Sequence, residues 1–216
     1  MSILTQTLEK IVDWLRVNDP ESIAGLGPGL TEPEIEKLTQ NLPLILRSTG
    51  LRDSHIEEIT QPLPLILPWE VRETYHYCNG GIALTSSLFL EPLEKAIENT
   101  CYGDWMRGNK IPASSHILPL FHGDGKDFYY VICDSANKSP VWCVYAGEYP
   151  RMYAASLTSL ILSTWECYET GVYYMYFDEE SGYSYVQDDD NSEKAEKIFQ
   201  KYNPEQMDDW RYFNRD

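Results

Sequence analysis

The stretch Leu63–Gly81 constrains the fold of this 216-residue chain more than any other part of its sequence. It reads LPLILPWEVRETYHYCNGG, and Pro68 suits the first turn of a helix because its missing N–H needs no partner there. Val71, Tyr75 and Cys78 follow at i, i+4 and i+7, which gives that helix one apolar face. The Asn-Gly-Gly that comes next is predicted to end the helix, since glycine readily adopts the left-handed conformation of a C-cap.

The first part of this stretch occurs twice in the sequence. Residues 30–46 read LTEPEIEKLTQNLPLIL and residues 51–67 read LRDSHIEEITQPLPLIL, which are identical at 10 of 17 positions. A solenoid needs about three repeats or more, so two copies do not predict one. We expect residues 1–216 to form a single domain in which the first copy adds a helix and an LPLIL segment.

Helical and β patterns alternate before the middle of the chain. Apolar residues recur at helical spacing over Leu4–Val17, which predicts an N-terminal amphipathic helix. Ile82–Leu90 reads as a strand pair with a turn at Ser86-Ser87. Pro92–Tyr102 reads as a short helix that Gly103 ends.

The middle of the chain is rich in aromatic and β-branched residues. The runs Ile117–Phe121, Asp127–Cys133 and Val141–Ala146 are separated by turn-forming residues, so an antiparallel meander is predicted. Ser156 has the side chain of an N-cap and precedes a helix that Gly171 is expected to close.

The last quarter of the chain is strongly acidic. From Glu166 onward there are 14 acidic and 5 basic residues, a net charge of −9, against −8 for the remainder of a chain whose total is −17. Val172–Phe177 fits either a last strand or an extension of the preceding helix. An acidic extension begins at about residue 178, and Glu193–Lys201 is predicted to form a helix.

This charge bears on the class of partner. A net charge of −17 repels phosphate backbones and anionic membranes, so we expect neither a nucleic-acid nor a membrane partner. It is compatible with a basic protein, and also with solubility alone. No apolar run approaches the roughly 18–20 residues of a membrane helix, and the N-terminus does not resemble a signal peptide. A cytoplasmic location is therefore predicted.

Metal and cofactor sites have weak support in the sequence. The five cysteines form no Cys-x-x-Cys pair and are interpreted as reduced thiols, namely Cys78, Cys101, Cys133, Cys143 and Cys167. The run Asp188–Asn191 fits no register of a calcium-binding EF-hand loop. His122–Gly125 resembles a phosphate loop, but a hairpin connection between strands explains it better. We expect no metal and no cofactor.

A small Cys/His hydrolase is the main enzymatic alternative. Cys78 and His76 lie close in sequence at the end of the predicted helix, as a nucleophile and a base would. A nucleophilic thiolate is favoured at a helix N-terminus and disfavoured at the C-terminal end, where Cys78 lies. The sequence therefore favours a protein without catalytic residues.

Tyrosines and carboxylates alternate near the C-terminus. This pattern is typical of a buried sheet face, but it also suits an interaction surface, because tyrosine is frequent at the centres of interfaces. The residues expected to contact a protein partner are Asp178, Glu179, Glu180, Tyr183, Tyr185, Asp188, Asp189 and Asp190.

The order of these segments resembles the Smi/Knr branch of the SUKH superfamily. Its members typically begin with an amphipathic helix, and a later Leu-Pro enters a helix that ends in Asn-Gly. A sheet and a Ser-Leu-opened helix follow, as at Leu118–Ala146 and Ser156–Tyr168. The residues that carry the resemblance are Leu67, Pro68, Trp69, Tyr75, Asn79, Gly80 and Gly81.

The resemblance implies both a fold and a class of function. It implies an α+β domain with helices packed on a mixed, largely antiparallel sheet. Bacterial members are similar to immunity proteins that neutralise toxins, which implies non-catalytic binding of a protein partner such as a basic toxin domain. Fungal members act as regulatory interaction proteins, so a stand-alone regulatory or scaffold role is the alternative. The duplicated segment and the acidic end depart from the family pattern.

Overall fold

The computed structural model of the protein describes residues 1–18, 50–85, 88–108, 111–122, 127–145, 147–178, 183–188 and 192–204. Several sequence predictions lie outside these residues. They are the first copy of the duplicated segment (30–46), the turn at Ser86-Ser87, the Gly-Asp-Gly after His122, and the acidic residues Glu179, Glu180, Asp189 and Asp190.

The chain folds as an α+β domain, as expected. Its α-helices are α1 (Ile3–Asn18), α2 (Asp53–Thr60), α3 (Trp69–Tyr77), α4 (Leu93–Asn99), α5 (Gly103–Arg107), α6 (Leu157–Glu169) and α7 (Glu193–Tyr202). A single 3-10 turn, Thr100–Tyr102, joins α4 to α5. The strands are β1 (Ala83–Thr85), β2 (Leu88–Leu90), β3 (Ile117–His122), β4 (Phe128–Ile132), β5 (Val141–Val144), β6 (Arg151–Ala154), β7 (Tyr173–Asp178) and β8 (Tyr183–Asp188).

The strands form one large sheet and one small one. β1 to β6 pair antiparallel in chain order, which confirms the predicted meander. β7 and β8 pair only with each other among the described strands, and we call this pair the tyrosine ribbon. An isolated parallel bridge joins Ile66 to Asp134 beside β4. The open choice at Val172–Phe177 is resolved as a strand, because Gly171 (φ 71°) turns the chain out of α6.

One face of the six-stranded sheet carries the main core. The helices α1, α3, α4, α6 and α7 contribute to it, together with the single buried Ile56 of α2. Val71, Tyr75 and Cys78 are all fully buried, as their spacing predicts. Burial of such a contiguous apolar set is the dominant favourable contribution to folding.

The opposite face carries a smaller cluster, namely Met106, Ile111, Ile117, Tyr130 and Val144. Alternate residues of β4 face the two clusters. Tyr129 and Val131 belong to the main core, whereas Phe128 and Tyr130 contact the smaller one. Every residue of β4 is apolar or aromatic because both faces of this strand are covered.

Two helix boundaries differ from the sequence predictions. Pro68 lies just before α3, with extended ψ (144°), rather than in its first turn. The helix predicted over Pro92–Tyr102 ends at Asn99 and continues as the 3-10 turn, in which the Thr100 hydroxyl donates to the Ile97 carbonyl (2.7 Å). Gly103 has a right-handed φ (−53°) and begins α5 instead of ending a helix.

The C-terminal region contributes to the main core. The inward residues of α7, Ala195, Ile198 and Phe199, are buried there, as the periodicity of that helix predicts. Strands β6 and β8 were not predicted. β6 has only four residues, and β8 lies in a stretch whose acidic residues indicated turns. In the described part of the chain, no helix has the length and apolarity needed to cross a membrane.

Candidate functional site

The Leu67–Gly81 segment forms a corner that positions α4. The Asn79 side chain accepts a hydrogen bond from the Leu93 N–H (2.8 Å) and donates one to the Glu94 carboxylate (3.0 Å), so it caps the start of α4. The Tyr75 hydroxyl donates to the Glu91 carbonyl (3.1 Å) and fixes the chain just before that helix. This segment therefore supports the residues of α4 as well as the core.

Gly80 cannot be replaced without strain at this corner. Its φ is 83°, and a Cβ built there would lie 2.5 Å from the Pro92 nitrogen. Gly81 also has a positive φ (77°), but a Cβ at that position would meet nothing within 4 Å. Both glycines are required by backbone conformation, and Gly80 is also required by the close approach of α4.

The start of α3 holds a buried carboxylate that the sequence did not reveal. Glu70 Oε1 accepts hydrogen bonds from the Thr158 N–H (3.2 Å) and hydroxyl, at the N-terminus of α6. The Lys138 ammonium lies 3.5 Å from the same oxygen. A carboxylate is stabilised at a helix N-terminus by the backbone N–H groups and by the helix dipole, so Glu70 joins α3 to α6.

A cavity of about 550 Å³ opens on the less covered face of the large sheet. It lies where the α4–α5 segment crosses the adjacent ends of β3 and β4. The described residues that line it are Glu91, Lys95, Asn99, Tyr102, Trp105, His122 and Phe128. Its volume falls within the range of about 300–1,000 Å³ that is typical of small-molecule sites.

Three aromatic rings form one wall of this cavity, which we call the aromatic wall. The Phe128 ring lies 5.8 Å from Tyr102 in a stacked arrangement and 5.9 Å from Trp105 in an edge arrangement. Tyr102 and Trp105 are 52% and 41% exposed although they are large apolar side chains. This exposed aromatic surface is available for stacking with another ring.

Polar groups form the other side of the cavity. The His122 Nδ1 lies 2.8 Å from the Glu91 carboxylate, an ion-pair distance, but without the geometry of a hydrogen bond. The Lys95 ammonium is bonded to Glu98 at 3.0 Å. Asn99 is only 8% exposed, and its side chain does not cap the following 3-10 turn.

Four of the eight predicted partner-binding residues lie on the tyrosine ribbon. Asp178 and Tyr183 are cross-strand partners at one end of the ribbon, Asp188 pairs with Tyr173 at the other end, and Tyr185 pairs with Tyr176. The remaining predicted residues, Glu179, Glu180, Asp189 and Asp190, lie outside the described residues.

The ribbon has an inner and an outer side. Tyr173 and Val186 are buried and Met175 packs against the main core, so they form the inner side. Tyr174 and Tyr176 alternate with them and are each 43% exposed on the outer side. The ribbon thus attaches to the domain through one side and presents tyrosines on the other.

Comparisons with known proteins add no identity to this geometry. No protein-family model matches the chain, and no curated protein matches its sequence. The resemblance of the Leu67–Gly81 segment to the SUKH superfamily stays a prediction from the sequence. The ribbon and the cavity are therefore the two features of the structure that bear on function.

The structure separates the two residues of the hydrolase alternative. Cys78 is fully buried in the main core, and burial raises the pKa of its thiol to about 12, which disfavours a nucleophilic thiolate. The His76 ring faces elsewhere, with Nδ1 2.6 Å from the Leu51 carbonyl and Nε2 3.2 Å from the Asp53 carboxylate. These two side chains do not form a nucleophile–base pair.

Sequence reasoning missed the cavity, although two signals pointed toward it. Tyr102 and Trp105 are three residues apart, which places them on one side of a helical turn. The continuous apolar run of β4 indicated that something covers each of its faces. No group of side chains suited to hold a metal ion occurs in the part of the chain that the structure describes.

Proposed function

We propose that the chain is a SUKH-type, non-catalytic protein-binding domain whose binding surface is the outer side of the tyrosine ribbon. The observation that carries this proposal is the pair Tyr174 and Tyr176, exposed side by side on a two-stranded ribbon that the core holds from behind. Tyrosine supplies a large contact area at a low cost in side-chain entropy, and it is enriched among residues that dominate binding energy.

The charge around the ribbon supports a basic partner. The chain carries −17 overall, with −9 from Glu166 onward, and Asp178 and Asp188 end the two strands of the ribbon. Opposite charge accelerates encounter and favours correct orientation, whereas buried aromatic contacts slow dissociation. In this proposal the domain acts as an immunity protein that covers a functional surface of a basic toxin domain.

The binding proposal is tested by changing the aromatic and acidic parts of the ribbon separately. The protein encoded beside this chain's gene serves as the candidate partner in calorimetry and in a growth-rescue assay. The double variant Tyr174→Ala and Tyr176→Ala is expected to weaken binding by at least about 30-fold, the effect of losing one hot spot. Asp188→Lys with Asp189→Lys and Asp190→Lys is expected to slow association, and the slowing should be smaller at high salt.

A matched control is Tyr149→Ala, which removes an exposed tyrosine elsewhere on the surface and should leave affinity unchanged. Equal affinity of the double tyrosine variant and the unaltered chain would reject the ribbon as the binding surface. Association rates that change neither with charge reversal nor with salt concentration would reject the electrostatic part of the proposal. A gene neighbour that is not toxic would favour the stand-alone regulatory role.

A further inference from the structure

The structure assigns to the cavity beside β3 and β4 a second binding function, which does not depend on the ribbon. We propose that it binds an uncharged heteroaromatic ring of the nucleoside class. In the bound state the ring stacks on the aromatic wall, and the Asn99 amide pairs with its hydrogen-bonding edge. Three observations lead to this class of ligand.

The first observation is the aromatic wall. Tyr102 and Trp105 keep much of their ring surface in solvent while Phe128 holds them from behind. A base that stacks on an aromatic side chain contributes about 1–3 kcal/mol per base in other proteins, which is a difference of roughly 5- to 150-fold in affinity. The wall thus favours a flat ligand over an aliphatic one.

The second observation is Asn99. Its side chain lines the cavity, is more than nine-tenths buried, and has no hydrogen-bond partner within the described part of the chain. The Asn99 amide is not among the fully buried side-chain groups that lack a partner, so it is accessible from the cavity, where a neutral amide offers both a donor and an acceptor. An asparagine amide pairs in a bidentate manner with the N6 and N7 edge of adenine, so a purine edge satisfies both groups.

The third observation is the charge of the lining. Glu91 lines the cavity beside His122, and an anionic ligand would meet this carboxylate as well as the −17 charge of the chain. Lys95, the only lysine among the described lining residues, already pairs with Glu98 at 3.0 Å and would in turn oppose a cation. An uncharged ring avoids both penalties, which favours a nucleoside over a nucleotide.

Adenosine is the probe for this proposal. It is titrated into the ¹⁵N-labelled full chain, and the indole N–H signal of Trp105, identified by its loss in Trp105→Ala, should shift saturably. Calorimetry should show adenosine affinity about tenfold lower for Asn99→Ala and at least about fivefold lower for Trp105→Ala. Adenosine monophosphate should bind more weakly than adenosine.

The matched control is Trp69→Ala, which removes an exposed tryptophan from α3, away from the cavity, and should leave adenosine affinity unchanged. If Asn99→Ala does not fold, Asn99→Asp removes the amide N–H donor while keeping nearly the same shape. The proposal would be overturned if the Trp105 signal shifted with none of adenosine, guanosine, cytidine and uridine at about 5 mM. Affinity unchanged in the Asn99 variant, or tighter binding of the monophosphate, would overturn it as well.

Discussion

The two faces of the six-stranded sheet differ in what covers them. Helices α1, α3, α4, α6 and α7 contribute to a continuous core on one face, the packed face, whereas α5 and Ile111 cover the other, the open face, incompletely. On the packed face, large apolar residues are buried, and their role is explained by packing alone. On the open face, Tyr102 and Trp105 remain in solvent without such an explanation. Aromatic side chains that the core does not use are therefore the better guide to binding.

The largest expected effect separates the two faces by stability. Leu160→Ala removes a fully buried side chain of α6 from the packed face and should lower the free energy of unfolding by about 2–5 kcal/mol. Trp105→Ala removes a larger side chain from the open face, yet it should cost less than Leu160→Ala because 41% of the tryptophan is already exposed to solvent. Urea denaturation of both variants measures the difference, and equal losses would remove the distinction between the faces.

A smaller effect is expected at the corner that positions α4. Gly81→Ala should cost about 1–2 kcal/mol, because alanine is strained at a positive φ. Gly80→Ala should cost more, since its Cβ would also clash with the backbone of Pro92. Each glycine variant serves as the control for the other, and thermal unfolding measures the loss of stability in both. A smaller loss for Gly80→Ala than for Gly81→Ala would contradict the close approach of α4.

The smallest expected effect concerns an ion pair at the rim of the packed face. Glu166 on α6 accepts hydrogen bonds from Lys201 (2.5 Å) and Tyr202 (2.6 Å) of α7. Burial opposes ionisation of this carboxyl, but the two donors outweigh it and lower its pKa below the ordinary value of a glutamic acid. Its contribution to stability is therefore fully present above that ordinary pKa and is lost as the pH falls through the lower pKa of the folded state.

Glu166→Gln tests the direction of this pH dependence of stability. The variant should be less stable than the unaltered chain by at most about 1 kcal/mol at neutral pH, because the pair is partly exposed to solvent. The difference should shrink in urea denaturation at acidic pH. Glu169→Gln, on an exposed position of the same helix, should be neutral at both pH values. A difference that grows on acidification would show that the carboxyl is not stabilised by its partners.

Sequence alone predicted the packed face better than the open one. The residues of α1, α3 and α7 that face the core follow helical periodicity, which is a local property of the chain. Ser156 and Gly171 bound α6 through local chemistry that is equally readable. These elements were predicted because residues close in sequence determine where each helix forms and where it ends.

The cavity could not be predicted in the same way. His122 and Phe128 become neighbours through strand pairing, and Asn99 reaches them only after α4 has been positioned by Asn79. The hydrogen-bond partners of Glu70 are likewise brought to it by tertiary contacts across a large sequence separation. Sites of this kind depend on which distant residues meet, and a single sequence contains no local signal for that.

The strand order of the large sheet has a consequence for the folding route. Each of its six strands pairs with its neighbours in the chain, so the sheet grows through short loop closures. The contact between α1 and α6 instead closes a loop that spans most of the chain. The entropic cost of closing a flexible loop rises with its length, so docking of α1 carries a larger entropic cost than any of those strand pairings. The N-terminal helix is thus the least local part of a topology that is otherwise built from neighbours.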